Sequence, residues 1–189
     1  MPEPADLEHL LQAVAEAEVD AAALTAPLSD AQANWQPGGG SGWSVAQCLD
    51  HLAKSNAVYT THFLPVVDRA RAAGAGSFRG LRPTWAGRWF VKSLEPPPRQ
   101  KTRTFKNLVP PSSIPVALAL AGYLASHEPY LRLVAGAAEV DPNRVVAANP
   151  FIGAVRMRLS TALLVIPAHE RRHLWQARQV LQQPGFPAR

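Results

Sequence analysis

Four long stretches of helical periodicity, with few strand signals between them, predict an all-α chain. The first spans about 5–26, where Leu7, Leu10, Leu11, Val14 and Val19 mark an apolar stripe that Pro27 and Ser29 terminate. The second starts at Ser44 and stops before Gly74. Gln47 stands three residues after Ser44, as a capping box requires. Val45, Cys48, Leu49, Leu52, Val58, Tyr59, Phe63 and Val66 give it an apolar face, and Pro65 is expected to kink or locally break it. The third covers about 112–137, capped by Ser112 or Ser113, with Pro129 as a further kink. The fourth covers about 155–183 and ends at Pro184-Gly185; Pro167 lies inside it. Four helices with one long connection, 74–111, between the second and third suggest a four-helix bundle with a crossover. Within that connection Thr84–Leu94 reads as a short helix with Trp85, Trp89, Phe90 and Val91 turned inward.

A chain of 189 residues is expected to form a single domain over 1–189. The lone cysteine, Cys48, excludes an internal disulfide framework, so the fold must rest on apolar burial, which a 47% hydrophobic composition can supply. No signal-peptide pattern and no apolar run near 18 residues is present, so a cytoplasmic protein without a membrane partner is expected. Charge is unevenly spread. Residues 1–68 hold nine acids and one base (−8), residues 69–106 ten bases and one acid (+9), and residues 107–189 eight bases and four acids (+4). A basic middle segment can attract an anionic partner. It lacks a reader helix, and Pro83 and Pro96-Pro97-Pro98 interrupt it, so no nucleic-acid partner is expected.

The fourth helix carries His169-Glu170-Arg171-Arg172-His173, which matches H-E-x-x-H. Histidines four apart share a helix face and can reach one ion. The zinc proteases take their third ligand downstream, yet the residues after His173 include no His, Asp, Glu or Cys, so that reading fails on ligand supply. A third ligand must come from upstream: His9, His51, His62, His127 or an acid. His51 is the best placed, mid-helix beside Cys48 and Leu52 at a position able to face the core. His62, eleven residues on, points the same way but sits ~16 Å along the helix. His9 is expected to be exposed, and His127 reads as a surface position.

Trp35-x-Pro37, then Gly42-Trp43-Ser44-Val45 and Leu49-Asp50-His51-Leu52, resembles the N-terminal signature of the DinB-like family. Asn149-Pro150-Phe151-x-Gly153 followed by His169-Glu-Arg-Arg-His173-Leu-x-Gln176 resembles its final helix, and Thr104-Phe105-Lys106 with Pro110-Pro111-Ser112 fits the connection between. The resemblance implies a four-helix bundle in which His51, His169 and His173 hold a divalent metal ion, with Zn, Ni, Fe and Mn all compatible with imidazoles. It also implies, from the family's characterised members, a metal-dependent thiol S-transferase acting on a small-molecule substrate with a low-molecular-weight thiol such as bacillithiol or mycothiol as co-substrate. Maleylpyruvate isomerases that use mycothiol share the fold, and many relatives are homodimers. A metal-dependent hydrolase or a non-catalytic metal-binding or interaction bundle would use the same three ligands.

Glu170 lies about 60° from His173 around the helix, so it is the candidate general base, against the plainer role of a supporting or arginine-paired carboxylate. Asp50 and Gln176 are candidates to support the same face, and Arg171 and Arg172 to hold an anionic substrate. Cys48 is expected to be a small buried hydrophobe. Trp35 and Trp43 are expected to pack the loop that enters the second helix, and Trp85 and Trp89 to pack, cover the site or meet a second copy.

Overall fold

The computed structural model describes residues 5–98 and 104–188. Arg99, Lys101 and Arg103 of the basic segment lie outside them. The chain is mostly helical: α1 (Ala5–Thr25), the single turns α2 (Asp30–Ala33) and α3 (Pro37–Gly40), α4 (Val45–Ala72), α5 (Trp85–Leu94), α6 (Val116–Ala125), α7 (His127–Ala137) and α8 (Leu159–Leu181). Strand β1 (Val146–Ala148) pairs antiparallel with β2 (Arg156–Arg158), a hairpin the all-α expectation lacked. Strands of three residues are too short to show an alternating pattern, so periodicity cannot reveal them.

Helix α1 buries Leu7, Leu10, Val14, Ala17 and Ala21, the seam of a helix contacting neighbours at every third or fourth position. Val19 falls off that seam and is 70% exposed, against expectation. The α4 capping box forms as predicted: Gln47 N–H donates to Ser44 Oγ, and Ser44 N–H to Gln47 Oε1. A second capping box, Ser29 with Gln32, starts α2. Helix α4 packs on α6, α7 and α8, while α1 packs on the same three from the other side.

The three prolines in helical stretches behave differently, and burial explains why. Pro65 does not break α4. It and Thr61, whose carbonyl it deprives of a donor, are exposed, and water can serve that carbonyl. Pro129 falls in the first turn of α7, where a missing N–H costs least. The stretch predicted as one helix is broken just before it, at Ser126, into α6 and α7. The start of α6 also shifts: neither Ser112 nor Ser113 caps it, and Asp30 Oδ1 accepts from Val116 N–H at 2.7 Å across the fold.

Pro167 is buried in α8 and orphans the carbonyl of Leu163. Tyr130 of α7, itself 0% exposed, donates its hydroxyl to that oxygen at 2.6 Å. The tyrosine thus lets a proline sit inside the helix. Tyr130→Phe should cost ~1–3 kcal/mol in urea denaturation, because the carbonyl is left buried and unpaired. A loss below ~0.5 kcal/mol would mean that the carbonyl finds another partner.

Apolar side chains fill both ends of the helical assembly. Leu7, Phe63, Leu133 and Leu163 belong to one cluster, and Leu49, Leu52, Tyr123 and Leu174 to another. A layer of buried polar groups, among them His51, Ser55, Asn56, His127, Glu170 and His173, lies in the interior with them. A buried polar group is costly without a partner, so this layer marks where the fold gives up apolar packing for something else.

Candidate metal centre

His51 projects from α4, and His169 and His173 from α8, the two histidines separated by one helical turn. One ring nitrogen from each of the three lies within 4.8 Å of the others. His51 Nε2 is 3.4 Å from His169 Nε2, which is 3.0 Å from His173 Nε2. Residues 118 positions apart in sequence therefore meet, and His51 is the upstream partner as predicted.

The outward-facing nitrogens are fixed. His51 Nδ1 donates to the carbonyl of Leu108 at 3.1 Å, and His173 Nδ1 donates to Gln176 Oε1 at 3.0 Å. Each bond places the proton on Nδ1 and leaves the Nε2 lone pair facing the centre, the tautomer a metal ligand requires. Leu108 belongs to a short 3-10 turn, Lys106–Leu108, of the long connection. That connection thus has a structural task at the site, which its Pro-rich sequence does not reveal. The Ser55 hydroxyl, one turn past His51, reaches the same Nε2 at 3.4 Å. Trp43 lies over the group, its ring 4.7 Å from that of His51 and stacked 5.7 Å from that of His173. Sequence reasoning had given Trp43 only a packing role.

The trio suits a divalent ion. Nitrogens bound at ~2.0–2.1 Å to one ion lie ~3.0–3.4 Å apart for bond angles between square and tetrahedral, which brackets the two separations at His169, while the whole trio spans no more than 4.8 Å. Without an ion, lone pairs face one another in a buried space. Burial lowers all three pKa values, helped by mutual repulsion at His169 and His173. His169 falls to about 3, His173 well below its usual value, and His51 in the same direction. The rings stay neutral, ready to coordinate.

Glu170 is 0% exposed. Its Oε1 accepts from Asn56 Nδ2 at 2.9 Å and from His127 Nε2 at 2.7 Å. The other nitrogen of His127, Nδ1, is 2.7 Å from Glu18 Oε1. His127, expected at the surface, is 1% exposed, because α1 and α8 close over it. Burial pushes its pKa down, but the hydrogen bonds and charges of Glu170 and Glu18 outweigh that and hold it above the usual value. Glu170 is therefore not arginine-paired: Arg171 grips Glu95 through two bonds, at 2.5 and 2.9 Å. Arg172 donates to Ser93 O at 3.2 Å. Both contacts tie α5 to α8.

The remaining candidates divide. Asp50 pairs with Lys54 at 2.6 Å rather than with His51. Cys48 is fully buried and its thiol is pushed up to about 12, so it is neither thiolate nor ligand. His9 is exposed, as expected. Trp85 and Trp89 are 74% and 64% exposed rather than turned inward. Helix α5 packs Phe90 and Val91 against the core as expected, with Leu94, at a distance from α8 so short that a Cβ on Gly87 would lie 2.5 Å from Thr161 Oγ1.

Opposed pKa shifts predict a stability maximum for the metal-free protein. A lowered folded-state value makes stability fall as pH drops below the unfolded histidine value, ~6.5, and for His169 this continues to about 3. A raised value at His127 acts oppositely: its contribution is present below ~6.5 and lost as pH rises through the folded value. Urea midpoints measured from about pH 4 to pH 9 should therefore decline on both sides. A curve still rising at the alkaline end would contradict the charged His127.

Comparison with known families places these observations. The family model of the DinB superfamily matches residues 5–177. The chain belongs to that superfamily, as the two sequence signatures implied. No curated protein matches it, and no solved structure does. Among the described residues, no helix is long and apolar enough to cross a membrane.

Proposed function

We propose that this chain is a metal-dependent thiol S-transferase of the DinB superfamily, using His51, His169 and His173 as ligands to a divalent ion. The observation that carries the proposal is the convergence of three Nε2 atoms, two of them with protons locked on the far nitrogen. Among the described residues no fourth His, Cys, Asp or Glu joins the group, which favours an open position over a closed structural site. A divalent ion held there would lower the pKa of a bound thiol, or of water, toward neutrality.

The chain's own residues then have separate tasks. Leu108 and Gln176 orient His51 and His173. Trp43 shields the ligands from solvent on one side. Glu170 is the proposed base: Asn56 and His127 hold its Oε1, which leaves Oε2, on the side of Tyr123, as the atom to take a proton. The co-substrate is a low-molecular-weight thiol and the substrate a small electrophile.

The same proposal takes the chain as a single four-helix-bundle domain over 1–189, with α1, α4, the broken pair α6–α7, and α8 as its helices and 74–111 as the crossover. It places the protein in the cytoplasm as a homodimer without a nucleic-acid partner. A lone buried cysteine suits a reducing compartment, and exposed Trp85 and Trp89 offer apolar surface that a second copy would cover.

Protein loaded in turn with Zn, Ni, Fe and Mn should be mixed with an alkylating electrophile and a panel of low-molecular-weight thiols. Loss of free thiol above the uncatalysed rate, dependent on metal, is expected. No thiol loss with any metal would overturn the transferase assignment. Metal-dependent ester cleavage without thiol would replace it with a hydrolase, and metal binding with neither reaction would leave a non-catalytic bundle.

A further inference from the structure

A cavity lies far from the three histidines. It has a volume of about 740 Å³ and sits where the C-terminal part of α4 meets the β1–β2 hairpin. His62, on its wall, follows His51 by eleven residues, ~16 Å along the same helix. Three arginines, Arg69, Arg144 and Arg156, line the cavity, and no aspartate or glutamate does. Val66 and Val145 add an apolar wall.

The arginines are not consumed by local ion pairs. Among the described residues, no carboxylate lies within ion-pair distance of any of the three. The acids of this region are engaged elsewhere: Asp68 and Glu139 pair with Arg71, and Asp141 Oδ1 accepts from both nitrogens of Asn143. Arg156 Nη2 donates to the carbonyl of Val146 at 3.3 Å, which holds its guanidinium against the hairpin. All three arginines are exposed at the cavity wall, and like charges gathered there give a local positive field that attracts an anion.

Two further features of the cavity bear on what it could hold. His62 Nε2 is shielded from solvent and has no hydrogen-bond partner among the described residues. The end of α4 raises an objection, since helix C-termini present carbonyls that repel anions. Here Gly74 N–H donates to Arg71 O and Ala75 N–H to Ala70 O, a Schellman closure made possible by Gly74 at φ +64°. Those carbonyls are satisfied, and the net field at the cavity is set by the guanidiniums.

We propose that this cavity binds a small organic anion carrying two or more negative charges, a phosphate ester or a polycarboxylate. Its charged group would meet Arg69, Arg144 and Arg156, and its apolar body Val66 and Val145. Guanidinium forks match both headgroups in bidentate geometry, and the volume suits a small metabolite. The site does not depend on the metal-centre reading, since no residue is shared.

Isothermal titration of the full chain with pyrophosphate, and separately with citrate, tests the proposal. Binding by at least one probe is expected, with affinity reduced ~100-fold or more in the double variant Arg144→Gln/Arg156→Gln. The tighter probe identifies the headgroup class. Circular dichroism checks that the variant is folded. Should it not be, the single variants Arg69→Gln and Arg144→Lys take its place, each expected to weaken binding ~10-fold. No binding of either probe, or equal binding by native and folded variant proteins, would overturn the proposal.

Discussion

Replacing His51 by alanine should reduce divalent-metal affinity by more than ~100-fold, since even loss of a residue that merely orients a ligand costs 10–100-fold. The substitution removes one of three converging nitrogens and leaves only His169 and His173, one turn apart on α8, as ligands. Titration against a chelator of known affinity, with elemental analysis of the purified variant, gives the number. His169→Ala and His173→Ala should match it. Gln176→Ala should fall short of it, because Gln176 only directs the His173 ring. Metal also stabilises by mass action, ~2.7 kcal/mol at a hundredfold excess over Kd, so the native protein should gain thermal stability with metal and the His51 variant should not. Equal metal retention by native and His51→Ala proteins would remove the centre from consideration, whatever the reaction assays show.

Glu170→Ala should destabilise the protein by ~3–5 kcal/mol, the usual consequence of removing one member of a buried ionic pair. The variant leaves His127, 1% exposed, with Glu18 as its remaining carboxylate, and it deprives Asn56 Nδ2 of its closest acceptor. Glu170→Gln retains the shape and one acceptor oxygen, so it should recover part of the loss. Urea denaturation of both variants measures this, and the pair also separates two roles. If Glu170 is the proposed base, Glu170→Gln stays folded and metal-loaded yet loses thiol-transfer rate. If Glu170 only supports the fold, Glu170→Gln turns over normally. A Glu170→Ala loss within ~1 kcal/mol would show that the buried triad of Glu18, His127 and Glu170 contributes little.

Local signals were legible where local chemistry sets the structure. The Ser44–Gln47 capping box formed because both partners lie within one turn. The limits of α1 and α4 were close to those expected. Local reasoning failed where a partner came from elsewhere. His127 looked superficial because its neighbours Ser126 and Glu128 are polar, yet Glu18 and Glu170 from two other helices bury it. Trp85 and Trp89 looked like core residues because they are large and apolar. Phe90 and Val91 face inward as expected, joined by Leu94 and not by the tryptophans, with α5 held close to α8 at Gly87. The cavity of three arginines was not legible, since only Arg69 belongs to the basic segment 69–106 and the members come from α4, the loop before β1, and β2.

By itself, the sequence determined that the chain is helical, which superfamily it belongs to, and which three histidines deserve attention. Helicity depends on periodicity and caps within single segments, while the superfamily and the set of three histidines came from the resemblance of two signatures to the DinB-like family. Tertiary structure alone decided that the three histidines meet, and that Leu108 and Gln176 direct His51 and His173. It also decided that Tyr130 serves the carbonyl Pro167 leaves open and that Glu170 faces Asn56 and His127. The physical reason is common to all four: a buried polar atom must find its partner wherever packing brings one, and packing joins residues that are far apart in the chain.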